Sequence, residues 1–265
     1  MRTVPGRCYL CLEETELQKS HLLPAALYKR TLSPNAANPH PVVLSNHAHI
    51  QSSAQAQKHL LCRACEKRFQ QRGENWTLRH SAFPNGRFKL REILLSGGAV
   101  NYGNGYWGFS GCDYPSVDVE ALCYFAISII WRATVCSWKI GDVEISKIEL
   151  GKYEEPTRLY LRGQGEFPPN TLVFVTVSSL QDVWLMPTFP ATRTFEGYKS
   201  HSFSVPGIHF DVQVGAKGLT DRKELCIRSG SVKPILYSKL EDLENAKRLA
   251  RQRLALAQSG RTLPS

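Results

Sequence analysis

Short alternating and β-branched runs, set between well-separated helical patterns, predict an α+β protein. Three observations carry that expectation. Two Cys-x-x-Cys pairs, Cys8/Cys11 and Cys62/Cys65, tie down a small N-terminal segment. A nearly continuous apolar run from Asp118 to Trp138 reads as a helix buried on most sides. Leu172–Ser178, together with the two runs flanking Pro206-Gly207, reads as antiparallel strands. The chain has 265 residues, enough for a small domain plus a larger one. The expected boundaries are 1–80 for the cysteine-bearing module, 81–117 for a glycine-rich connection, and 118–265 for an α+β domain ending in a helix.

In chain order, Glu13–Leu27 reads as a short hairpin or irregular turn, followed by a helix that starts near Pro24, a tolerated first-turn residue. Ser33–Pro41 is a turn-rich loop. Cys65–Arg72 is rich in helix formers and meets its first breaker at Gly73. Gly97–Phe109 is glycine-rich but has no phosphate-loop pattern, and it reads as a mobile or turn-rich connection. Asp118 can cap the long apolar helix. Phe203–Val205 and Ile208–Val214 read as a hairpin, and Leu225–Arg228 as one more strand. Tyr237–Gln258 reads as an amphipathic helix, with Leu240, Leu243, Leu249 and Leu254 on one side.

Two Cys-x-x-Cys knuckles supply four thiolates with little strain. That donor set suits a structural, tetrahedral Zn²⁺. Cys8, Cys11, Cys62 and Cys65 are therefore the expected zinc ligands, while Cys112, Cys123, Cys136 and Cys226 read as buried or free thiols. The formal net charge is +10, which favours polyanions and nucleic acid above all. No apolar run reaches bilayer length and no secretory leader is evident at the N-terminus, so a cytoplasmic protein without a membrane partner is expected.

Three elements stand in a telling order: Cys8-x-x-Cys11, then Ser20-His21-Leu22-Leu23-Pro24, then Leu60-Leu61-Cys62-x-x-Cys65-Glu66. In this order the first third of the chain resembles the zinc-stabilised HNH endonucleases of the ββα-metal type. The resemblance implies a treble-clef/ββα module in which His21 sits on a hairpin strand facing a helix. It implies that His21 takes a proton from water, that the hydroxide attacks phosphorus, and that Mg²⁺ or Mn²⁺ neutralises the leaving oxygen. The departures from the family pattern are specific. Ser20 stands where an acidic metal ligand precedes the histidine, Gln57-Lys58-His59 stands in place of the asparagine, and Glu66 replaces the final histidine. Glu66 and His59 are candidate ligands of a variant metal site, with Asn46, His47 and His49 as further candidates. The later stretches Phe125–Ala133 and Leu150–Glu155 are similar to a widespread set of uncharacterised bacterial proteins carrying the same front elements.

Lys67, Arg68 and Arg72 form a helical charge run that reads either as a solvated face or as a phosphate-tracking edge. Arg132 is expected to bond backbone or a carboxylate such as Glu154 or Glu155, or alternatively to face the zinc module and grip phosphate. The expected function is metal-dependent hydrolysis of phosphodiesters in nucleic acid, with the C-terminal part selecting substrate or forming a homodimer. The alternative is a non-catalytic, zinc-stabilised module that binds nucleic acid or another protein.

Overall fold

The computed structural model describes residues 3–31, 42–44, 49–51, 53–103, 106–179, 187–215, 220–228 and 232–238. The class is α+β, with 33% helix and 34% strand. Strands β1 (Val4–Arg7) and β2 (Glu14–His21) flank the first knuckle, and helix α1 (Ala25–Arg30) follows with Pro24 as its N-cap. Strands β3 (Val42–Leu44) and β4 (His49–Gln51) form a separate ribbon, and β5 (Gln57–Cys62) completes a three-stranded sheet in the order β1-β2-β5.

β5 runs directly into α2 (Arg63–Phe69), whose N-cap is Cys62. The helical path does not stop at Gly73, where the sequence suggested a breaker. It passes through a π-helical segment, Gln70–Glu74, into α3 (Asn75–His80). Gly73 is needed for a different reason: a Cβ there would lie 2.9 Å from the backbone nitrogen of Phe125, on a crossing helix.

Helix α4 (Lys89–Leu94) and strands β6 (Val100–Asn101) and β7 (Trp107–Ser110) follow. The stretch expected to be a turn-rich connection thus contributes an edge pair to the main sheet. Its glycine content reflects close packing, because a Cβ on Gly108 would lie 2.5 Å from the Ile235 carbonyl oxygen.

Helix α5 (Val119–Val135) is capped by Asp118, whose carboxylate accepts from the Ala121 N–H at 2.8 Å. It ends before Trp138, which belongs to the small ribbon β8 (Trp138–Ile140) and β9 (Val143–Ile145). Of its residues, only Glu120 and Val135 escape full burial. Phe69 meets Tyr124 and Trp131 edge-on on one side of α5, and Phe203 and Phe210 pack on Phe125 on the other. One apolar cluster consequently runs from Cys8 to Ile235.

Helix α6 (Glu154–Arg162) precedes the large sheet, formed by β10 (Thr171–Ser178), β11 (Thr188–Phe195), β12 (Tyr198–Val205), β13 (Ile208–Val214) and β14 (Pro234–Ser238). The strand order is β11-β12-β13-β10-β14-β7-β6, antiparallel except for the β10/β14 pair. The expected strand 225–228 is instead the end of a 3₁₀ turn, Thr220–Leu225, and the bend after it. Ile227 N–H donates to the Val173 carbonyl at 2.9 Å, so this segment plugs an open stretch of β10 rather than pairing as a strand. Tyr237, expected to open the C-terminal helix, lies in β14, and residues 239–258 of that expected helix lie outside the described residues. So does the expected loop 33–41. Among the described residues no helix is long and apolar enough to cross a membrane.

Candidate metal centre and the polar cluster beside it

The first knuckle is a tight turn closed by Leu12 N–H donating to the Cys8 carbonyl at 2.8 Å and Cys8 N–H donating to the Glu13 carbonyl at 2.9 Å. Leu12 takes a left-handed conformation, φ 66°, to complete the turn. Tyr9 N–H reaches across to the Leu60 carbonyl at 3.2 Å and docks the knuckle on β5. A bulge between Gln18 and Lys19 in the β2/β5 register leaves Leu60 unpaired, so that Leu60, Leu61 and Cys62 are all buried in succession. Cys62 then caps α2 and Cys65 sits in its first turn, which brings the second thiol pair to the positive end of a helix.

The four sulfurs of Cys8, Cys11, Cys62 and Cys65 lie within 4.8 Å of one another. Cys11 and Cys62 are 3.9 Å apart. A disulfide would need about 2 Å, whereas a tetrahedral ion with bonds of about 2.3 Å places its sulfurs about 3.8 Å apart. The donor set and its spacing fit a zinc ion, and these four residues would hold it. Cys8 is held well below the usual thiol range, at about 4, chiefly because the Cys65 thiol donates to it. The backbone N–H of Cys62 supports the same sulfur at 3.3 Å. Burial instead pushes Cys11 up to about 11. A zinc bound there would displace the remaining protons and hold the two chain segments together.

The residues expected to do chemistry divide around this centre. His21 ends β2 opposite Gln57, half-buried, with its ring 6.2 Å from that of Tyr28. Burial lowers its pKa, outweighing a hydrogen bond with Gln55, so the imidazole is neutral at neutral pH. Glu66 turns inward beside Ser20, which donates to it. Burial raises the Glu66 pKa, while the Arg132 guanidinium opposes that rise. Its Oε1 has no hydrogen-bond partner among the described residues. His59 lies in β5 opposite Lys19, half-buried. His49 lies on β4, and Asn46 and His47 lie outside the described residues. Among the described residues, the cysteine set is the one group of three or more such side chains gathered closely enough to hold an ion.

Arg132 occupies the middle of this region. Its guanidinium bonds Glu74 at 2.5 Å and the His21 carbonyl at 3.2 Å, and it lies over the Phe69 ring. Its partner is therefore neither Glu154 nor Glu155; Glu155 is held by Arg158. Arg158 also donates to the Leu10 carbonyl at 2.5 Å and braces the first knuckle from α6. Neither Glu74 nor Arg158 stood out in the sequence. The only signal for Glu74 was its place eight residues after Glu66 on the helix that the second knuckle opens.

Lys67 and Arg72 are exposed, as are the flanking cations Arg63 and Arg79, and Arg68 is half-exposed. Arg72 also lies over the Tyr124 ring at 5.5 Å. No family model, curated protein or solved structure matches the chain.

Proposed function

We propose that this protein is a zinc-stabilised nucleic-acid-binding protein. One observation carries the reading: between residues 63 and 80 the helical rod directs its cations outward, while both of its carboxylates, Glu66 and Glu74, are turned into the interior. A surface stripped of acids in this way attracts phosphates by releasing their counterions, and each contact steepens the salt dependence. Lys67, Arg68 and Arg72 are the proposed phosphate contacts.

A second reading is a metal-dependent HNH-like nuclease, favoured by the neutral, half-buried imidazole of His21, which is in the right protonation state to accept a proton. In that reading Mg²⁺ or Mn²⁺ would supply Lewis acidity at the leaving oxygen, with Glu66 and His59 as its nearest candidates for ligands. The first reading is preferred because, among the described residues, no set of three ligand-bearing side chains gathers around Glu66 or His21.

Fluorescence anisotropy with labelled duplex DNA and duplex RNA across a salt series tests the first reading. Binding should weaken steeply with salt, and Lys67→Ala with Arg72→Ala should flatten the log–log slope by about 1 to 2. Salt-insensitive or absent binding would refute it. Plasmid and RNA cleavage assays with Mg²⁺ or Mn²⁺ decide the second reading. Cleavage that His21→Ala abolishes at unchanged zinc content would put the nuclease in place of the simple binder.

A further inference from the structure

We propose that the bound nucleic acid is single-stranded, and that it crosses from the helical rod onto a patch where α5 and α6 meet Arg228 and Lys233. Its phosphates lie on Arg68, Arg72, Arg228 and Lys233, and its unpaired bases against Tyr160 and Phe167. This deepens the nucleic-acid-binding reading above and rests on it.

A closed circuit of contacts defines the patch. Arg72 lies over the Tyr124 ring at 5.5 Å. Tyr124 is the buried floor: its hydroxyl donates to the Leu161 carbonyl at 2.7 Å, and its ring meets Tyr160 at 5.9 Å. Tyr160 meets Phe167 edge-on at 5.3 Å, and the Arg228 guanidinium lies over Phe167 at 4.6 Å. Arg228 then bonds Glu120, which stands one helical turn before Tyr124 on the same face of α5. Because the circuit closes, these side chains border one patch and not opposite faces of the fold. Arg68 joins it at the end of α6, where a Cβ on Gly163 would lie 3.1 Å from its Nη1. Tyr160 and Phe167 are half-buried, and the Arg228 side chain is 30% exposed, so a ligand can reach them.

The charge of the patch suits a polyanion. Arg228 and Lys233 converge on the single carboxylate of Glu120, with Lys233 at 3.9 Å. Lys233 is fixed there by its backbone, which takes a left-handed conformation, φ 47°, and accepts from the Gly111 N–H at 3.1 Å. One carboxylate cannot neutralise two cations, and a phosphate would balance the surplus. The Glu120 side chain is 55% exposed, so solvent screens its hold on both cations. Glu166, exposed beside Phe167, is the other acid here, and Lys67, Arg68 and Arg72 on the rod keep the sum positive. The rings decide the form of the strand. A duplex keeps its bases stacked inward and gains nothing from half-buried aromatics, whereas unpaired bases stack on any aromatic or guanidinium plane.

Fluorescence anisotropy of the full chain tests this with three labelled probes of about 12 nucleotides: an oligothymidylate, an abasic strand and a duplex. The oligothymidylate should bind at least about fivefold more tightly than the duplex and about tenfold more tightly than the abasic strand. Phe167→Leu keeps the packing apolar and should weaken the oligothymidylate at least about fivefold, and the abasic strand less. Arg228→Gln should weaken the oligothymidylate several-fold and lower its log–log salt slope by about 0.7, and Arg228→Lys should restore the slope. Abasic strand or duplex bound as tightly as the oligothymidylate overturns the proposal. So does oligothymidylate binding that neither Phe167→Leu nor Arg228→Gln changes. The comparison of probes on the unaltered chain needs no variant, so it stands even where a substitution disturbs folding. Absence of binding to all three probes refutes the proposed function as well. Salt-dependent duplex binding with no gain for unpaired bases overturns the present proposal alone.

Discussion

The N-terminal region and the large sheet hold their chains by different means. Around the knuckles, strands run for four to eight residues and the α-helices for six or seven, and what gathers them is a set of four sulfurs. The sheet places seven strands in register and closes on an aromatic core of Phe125, Phe203 and Phe210. The first region shares its buried Leu10, Leu22, Leu27 and Leu60 with the common apolar cluster, and a metal on the four sulfurs would add a cross-link of its own. The sheet has ladder hydrogen bonds and cross-strand packing in its place. Helix α5 touches both, and the Arg132–Glu74 pair is the polar joint between them.

The largest test of this contrast removes the cross-link. Cys62→Ser or strong chelation should release one zinc per chain and unfold the N-terminal region. Structural zinc contributes about 10–16 kcal/mol to comparable small modules. Zinc analysis paired with hydrogen exchange should show early loss of protection in 3–31 and 53–94 while β10, β12 and β13 stay protected. Simultaneous loss in the sheet would make the two regions one cooperative unit and end the comparison.

Next comes the joint. Glu74→Leu alone leaves the Arg132 guanidinium buried without its carboxylate and should lower stability by about 3–5 kcal/mol in urea titration. Glu74→Leu with Arg132→Met should recover most of that loss. If the double variant is as weak as the single one, the pair does more than neutralise itself.

The third test is acid. His201 and His209 are both buried in the sheet and both held at about 4, below the ordinary 6.5, with burial as the main cause. The unfolded chain therefore binds protons at a higher pH than the folded one. The sheet's stability should be complete above pH 6.5 and should fall as the pH drops through 4, by up to about 3 kcal/mol per histidine. His209→Gln should flatten the pH dependence of the urea midpoint. An unchanged slope would place the acid sensitivity elsewhere.

The smallest test concerns the helix crossing. Gly73→Ala drives a Cβ against the Phe125 backbone and should lower the unfolding free energy, read from urea titration, by about 1–3 kcal/mol. Normal stability would show that the crossing has slack, and that the two regions are less tightly joined than the packing indicates.

The thiolate set was fully legible in the sequence, because a Cys-x-x-Cys turn carries its geometry in its own spacing. The same holds for the Asp118 cap, the buried α5 and the β12–β13 hairpin, whose causes lie within a few residues of one another. The glycine-rich stretch before Asp118 misled for a physical reason: glycine marks both loose turns and tight packing, and only the Ile235 carbonyl opposite Gly108 separates the two. Gly73 and the partner of Arg132 were hidden in the same way.

The sequence by itself determined which sulfurs can hold a metal and where α5, β10 and the β12–β13 hairpin lie, because thiol spacing and residue periodicity act locally. Tertiary structure alone decided that Arg132 meets Glu74, that Glu66 turns inward, and that Arg158 braces the first knuckle at the Leu10 carbonyl. Those contacts join residues tens of positions apart, and chain folding rather than local preference sets their distances.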